Sequence, residues 1–182
     1  MNLAGRTRAA LAGVAGRVRA VVTAPDPVLS QPPKAVDPAS GATVELVADL
    51  LATMRGAAGC VGLAAPQVGV CLRVFVVDVS GHPKAVACHG QLALCNAEVV
   101  AGNRWRLGRE GCMSVPDLTG DVKRATRLTV AGQLPGSGEH VTLTTDAFEA
   151  RAMQHEIDHC AGQLFLDRVA GAHAVHPRKV YR

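Results

Sequence analysis

Apolar residues at Val47, Leu50, Leu51 and Met54 recur at spacings of three and four, which predicts an amphipathic helix over residues 43–55. Residues 72–79 form a short, nearly continuous apolar run rich in Val with one Phe, the pattern of a buried strand. Residues 91–100, 127–134 and 141–145 predict further strands, and Pro135-Gly136-Ser137-Gly138 predicts a hairpin turn between the last two. A second helix is predicted behind Asp146, a candidate N-cap with Glu149 three residues later as in a capping box. Phe148, Ala152, Met153 and Ile157 supply its apolar residues, and Gly162 is its stop signal. Strands followed by one inserted helix, with no internal repeat, indicate an α+β domain.

The first 24 residues differ in character, carrying Arg6, Arg8, Arg17 and Arg19 with no acid before Asp26. Leu11, Val14, Val18, Val21 and Val22 fall at helical spacing and predict a basic amphipathic helix. A surface helix, a disordered tail and an organellar transit peptide all fit this composition. The chain therefore divides into a basic Ala/Arg-rich extension (1–24), a central domain (25–170) and a short tail (171–182). A length of 182 residues suits one domain, and with three Phe, one Trp and one Tyr the core must be built from Val, Leu, Ala and Ile. The net charge of +4 is modest and no aromatic-interleaved basic patch occurs, which argues against specific nucleic-acid recognition. No segment is long and apolar enough to span a membrane. None of the six cysteines forms a C-x-x-C pair, and without a secretory signal they indicate a reducing compartment.

Chemistry enters with Gln154-His155-Glu156-Ile157-Asp158-His159. On a helix His155 and His159 share a face, where two imidazoles can grip one metal ion while Glu156 handles protons. A catalytic site of this kind takes three protein ligands, and Cys112, in the turn-like segment Glu110-Gly111-Cys112-Met113-Ser114-Val115-Pro116, is the candidate third. One thiolate with two imidazoles suits iron(II), zinc, cobalt or nickel. Cys60, Cys71, Cys88, Cys95 and Cys160 read as small buried hydrophobes. The segment from Gly59 to Gly69 lacks both the phosphate-loop ending and the dinucleotide glycine spacing, and reads as a tight connection before a strand.

Taken in order, Gly62-Leu63-Ala64-Ala65-Pro66-Gln67, Glu110-Gly111-Cys112-Met113-Ser114 and Gln154-His155-Glu156-Ile157-Asp158-His159 closely resemble the three motifs of peptide deformylases. Asp26-Pro27-Val28-Leu29 and the Gly162, Leu164, Phe165, Asp167, Arg168 pattern extend the resemblance over roughly residues 24–170. The resemblance implies antiparallel or mixed sheets around a central helix carrying the two histidines. It implies Cys112, His155 and His159 as ligands of one divalent metal, natively Fe2+, with Zn2+, Ni2+ or Co2+ as replacements. Glu156 would be general base and then acid, with the Gln67 amide and the Met113 N–H donating to the formyl oxygen. Val61, Gly62, Leu63 and Gly111 would border an extended peptide, and Phe148, Ala152, His155 and the stem of Arg151 would wall a methionine pocket. The implied substrates are N-formyl-Met peptides and nascent chains in the cytoplasm, met transiently at the ribosome surface. The motifs also admit a deacylase acting on a small molecule or non-ribosomal peptide, or a non-catalytic peptide-binding homologue. This chain departs from the family at Cys60, Met113 and Cys160, where Gly, Leu and Leu are usual. Residues 117–122 also lack the arginine that many bacterial members carry before Arg124.

Overall fold

The computed structural model describes residues 2–179. Its helices are α1 (Leu3–Ala10), α2 (Gly41–Gly56) and α3 (Ala147–His159). The strands are β1 (Gly62–Ala64), β2 (Val74–Val77), β3 (Leu92–Cys112), β4 (Val115–Gln133), β5 (His140–Asp146) and β6 (Val175–Pro177). The strands form one sheet in the order β1-β2-β3-β4-β5, antiparallel throughout, with β6 added to the far end of β4.

The α+β reading is borne out, and the alternation within β2 shows how the layers arise. Val74 and Val76 pack with Val47, Leu50, Leu51 and Met54 of α2, whereas Phe75 and Val77 pack with Ala150 and Met153 of α3. A helix therefore covers each face, which is why this strand reads as an unbroken apolar run rather than an alternating one. A third cluster joins Leu29, Cys112, Val115, Val122 and Phe165 beneath the β3–β4 connection.

β3 and β4 extend well beyond the segments their hydrophobicity predicts. Residues 98–107 are exposed, so this half of the hairpin carries no buried stripe. Cross-strand pairing holds it, with register shifts between Cys95 and Glu98 and between Val99 and Ala101.

The helical spacing from Leu11 to Val22 is not realised; α1 ends at Ala10 and the chain runs on without helix. The cause is competition for its backbone. Arg17 N–H donates to Asp49 Oδ1 at 2.7 Å and Arg19 N–H to Thr53 Oγ1 at 2.9 Å, while Arg19 Nε reaches Asp49 Oδ2 at 2.8 Å. The strap lies so close to α2 that a Cβ on Gly16 would stand 2.0 Å from the Ala48 carbonyl oxygen. Asp146 occupies the N-cap of α3 as predicted, but the capping box does not form. Asp146 Oδ1 accepts from Ala87 N–H, and buried Glu149 accepts from His89 and Thr145, so both acids tie the loop before β3 to the start of the helix. Among the cysteines expected to be buried, only Cys95 and Cys160 are; Cys60 and Cys71 are half-buried and Cys88 is exposed.

Asp49 is 2% exposed and is the anchor of the strap. Asp49→Ala is expected to cost about 2 to 3 kcal/mol by leaving buried donors unpaired. Thermal unfolding should show this as a fall of roughly 5–10 °C in Tm.

Candidate metal centre

α3 places His155 and His159 one turn apart, both buried, and the end of β3 brings Cys112 against them. Their ligand atoms lie within 4.8 Å of one another, and Cys112 Sγ is 3.3 Å from His159 Nε2. Gln154, the first residue of the same motif, docks the helix. Its amide accepts from Ala125 N–H at 3.1 Å and donates to the Ala125 carbonyl at 2.9 Å, pairing with β4 as a strand backbone would.

His155 is oriented by its outer nitrogen. Nδ1 lies 3.0 Å from Glu110 Oε2, which leaves Nε2 for the centre. Arg124 Nε and Nη2 grip Glu110 in turn, at 2.9 and 3.0 Å, and Arg124 Nη1 reaches Asp158 on α3. Arg151 adds a contact of 2.8 Å to Glu110 and Arg168 one of 2.6 Å to Asp158. Burial opposes the Glu110 charge, but its bonds with His155 and Arg124 outweigh burial and hold the carboxyl down at about 2. Burial keeps His159 well below its ordinary range, hence neutral, the form in which an imidazole ligates.

Glu156 is 3% exposed and its Oε2 has no hydrogen-bond partner among the described residues. Burial raises its carboxyl to about 7, against the pull of nearby His155. Gly62 leaves room for this position of the carboxylate, because a Cβ there would stand 2.4 Å from Glu156 Oε1 and would displace it. Gln67 sits on a single helical turn after β1, its Oε1 held by Ala64 N–H at 3.0 Å. That bond turns the amide nitrogen toward Cys112 Sγ and Ser114 Oγ, each 3.3 Å away.

The same cleft is lined by Val61, Gly62, Gly111, Met113, Phe148, Arg151 and Ala152. Phe148 is braced from behind by His82, stacked on it with ring centroids 3.8 Å apart. Leu63 is the exception among the residues expected there: its side chain is fully buried in the α2 core, leaving only its backbone near the cleft. The sequence reading missed the roles of Glu110, Arg124 and Asp158. Glu110 had one usable signal, since it stands two residues before Cys112 and so points to the same face of β3.

A soft sulfur and two imidazole nitrogens, converging beside a buried carboxylate oxygen without a partner, fit one divalent metal ion. The family model of polypeptide deformylase matches residues 18–174. The chain belongs to that family. It is 43% identical over 144 residues to the peptide deformylase of Halothermothrix orenii, covering 79% of this chain and 88% of the relative. It is 40% identical over 154 residues to that of Aquifex aeolicus, covering 85% and 89%. The solved peptide deformylase of Thermotoga maritima superposes with a TM-score of 0.76 at 31% identity, covering 85% of this chain and 99% of that one. One from Acinetobacter baumannii, solved with Met-Ala-Ser bound, superposes with a TM-score of 0.76 at 32% identity, covering 84% and 98%. Deformylases are metal-dependent hydrolases that remove the N-formyl group from newly made polypeptides, and the described cluster supplies a place for the metal.

Glu110→Gln is expected to weaken metal binding by roughly 10- to 100-fold in a chelator competition assay. Because the folded carboxyl is held at about 2 against an ordinary 4.5, its stabilisation is complete above pH 4.5 and is lost as pH falls toward 2. That contribution is worth about 3 kcal/mol, and the acid-unfolding curve of the variant should lack its slope.

Proposed function

We propose that Cys112, His155 and His159 hold one divalent ion, iron(II) in the cell and zinc, nickel or cobalt as replacements. Beside them the cleft deformylates N-formyl-Met peptides. One observation carries the assignment: a buried thiol, two imidazoles, an unpartnered carboxylate oxygen and an oriented amide meet at the base of one cleft.

A divalent ion held by Cys112, His155 and His159 would supply Lewis acidity there, lowering the pKa of a water molecule and polarising the formyl carbonyl. Glu156 takes the proton and returns it to the departing amine, and a carboxyl raised to about 7 is matched to both roles near neutral pH. Gln67 donates its amide to the formyl oxygen as negative charge develops there, already turned by the bond from Ala64. We assign the Met113 N–H as the second donor. Among the described residues β1 pairs with β2 alone, which leaves its outer edge open, and Val61, Gly62 and Leu63 there, with Gly111 opposite, pair through their backbones with an extended peptide. Phe148, Ala152 and the stem of Arg151 wall the pocket for methionine. The Acinetobacter relative solved with Met-Ala-Ser bound supports a methionine-led peptide as the occupant. We place the reaction on nascent chains in the cytoplasm, where a net charge of +4 favours transient encounter with the anionic ribosome surface.

Anaerobically purified, iron-loaded protein is expected to release formate from a formyl-Met peptide and to leave the acetyl-Met peptide intact. No release from metal-replete protein would contradict the assignment. Glu156→Gln should keep its metal yet lose roughly 100- to 10,000-fold in rate. Gln67→Leu should lose roughly 100- to 1,000-fold in kcat; a change confined to KM would make Gln67 a binding residue.

A further inference from the structure

We propose that Arg178 is a specificity-determining residue that recognises a carboxylate on the peptide downstream of the first residue. The inference rests on the deformylase reading of the cleft. β6 brings this arginine into place, pairing Leu118 with Pro177, Thr119 with His176 and Gly120 with Val175. Side chains fasten the same pairing. His176 Nε2 lies 3.0 Å from Asp121 Oδ2, and Arg109 grips that carboxylate at 2.7 and 3.2 Å. Arg178 N–H then donates to the Asp117 carbonyl at 2.8 Å, which fixes the first residue beyond the strand. From there the guanidinium reaches the cleft. Nη1 donates to the Cys112 carbonyl at 3.3 Å, and Nη2 lies 3.2 Å from where a Cβ on Gly111 would stand, so the glycine leaves room for it.

Among the described residues three arginines line this cleft, and they differ in what they hold. Arg109 is paired with Asp121 and Arg151 with Glu110. Arg178 has no carboxylate partner among the described residues and is exposed. One backbone carbonyl uses one of its five N–H donors, so the fork that binds carboxylates in bidentate fashion stays available. Position selects the peptide residues it meets. The guanidinium is bonded to the carbonyl of Cys112 itself, beside Gly111, so it stands next to the reacting centre without occupying it. An extended peptide advances about 3.3 Å per residue, so a substrate that runs from the reacting centre along Gly111 brings its second and third residues within reach of the guanidinium. The carboxylate can come from an Asp or Glu side chain or from the free terminus of a very short peptide.

The test is formate release by the nickel-loaded full chain on formyl-Met tripeptide amides with Asp or Lys at the second or third residue. Formyl-Met-Ala-Ala as free acid and as amide completes the set. Wild type should prefer Asp to Lys by roughly 3- to 10-fold in kcat/KM at low salt, expressed in KM. Arg178→Gln should bring that ratio near one, and Arg178→Glu should invert it. A preference for the free acid without a preference for Asp would support the subsite with the terminus as its source. Ratios unchanged in both variants would overturn the proposal. So would an equal loss on every substrate together with lost metal, which would make Arg178 a support for the Cys112 turn. Calorimetry with Met-Asp-Ala-amide and Met-Lys-Ala-amide separates the two readings. Binding that depends on charge and on Arg178, without formate release from any substrate, would keep the subsite and overturn the deformylase assignment.

Discussion

A guanidinium buried between two carboxylates joins the three segments from which the candidate metal centre is made. Arg124 belongs to β4, Glu110 to β3 and Asp158 to α3, and all three are nearly excluded from solvent. Each carboxylate also has a second cation, Arg151 or Arg168, so neither relies on Arg124 alone. Removing one partner from such a network strands charge in the interior, at a cost of about 3–5 kcal/mol, which makes the arrangement closer to all-or-none than graded. Its output is geometric. Glu110 sets the orientation of His155, while Asp158 ties α3 to β4 through Arg124, which in turn holds Glu110 on the strand that ends at Cys112.

The remaining parts of the site depend on close approach. Gly62 lets β1 pass against the Glu156 carboxylate, and Gln67 follows it on a turn so short that Ala64 N–H can hold the far end of its amide. The α3 core on one face of the sheet and the α2 core on the other fix β1 relative to the helix, so Glu156, Gln67 and the cluster of Cys112, His155 and His159 share one frame. Catalytic groups held by packed helices and paired strands need little reorganisation during the reaction.

Much of this was legible in the sequence wherever one side chain type performs one local task. The histidine pair, Glu156, Cys112 and Gln67 were found through motif chemistry and family resemblance, and the structure brings them together. Helix α2 followed from its periodicity, because its apolar residues Val47, Leu50, Leu51 and Met54 share the face that packs on β2. The outer half of the β3–β4 hairpin was illegible, since pairing rather than burial maintains it and residues 98–107 show no alternation. The stretch from Leu11 to Val22 misled for the opposite reason: its apolar spacing suits a helix, but Asp49 and Thr53, more than thirty residues away, take its backbone donors. Long-range partners also hid Arg124 and Asp158. Each reads as an ordinary surface charge until the fold supplies an opposite charge in the interior.

The proposed centre binds a single ion through one sulfur and two imidazole nitrogens, from Cys112, His155 and His159. X-ray absorption on the metal-loaded chain, with metal content measured in parallel, tests it most directly. One ion per chain is expected, with one sulfur and two nitrogen scatterers from the protein, and with the sulfur contribution lost in Cys112→Ser. A metal shell without sulfur, or one that Cys112→Ser leaves unchanged, would contradict it.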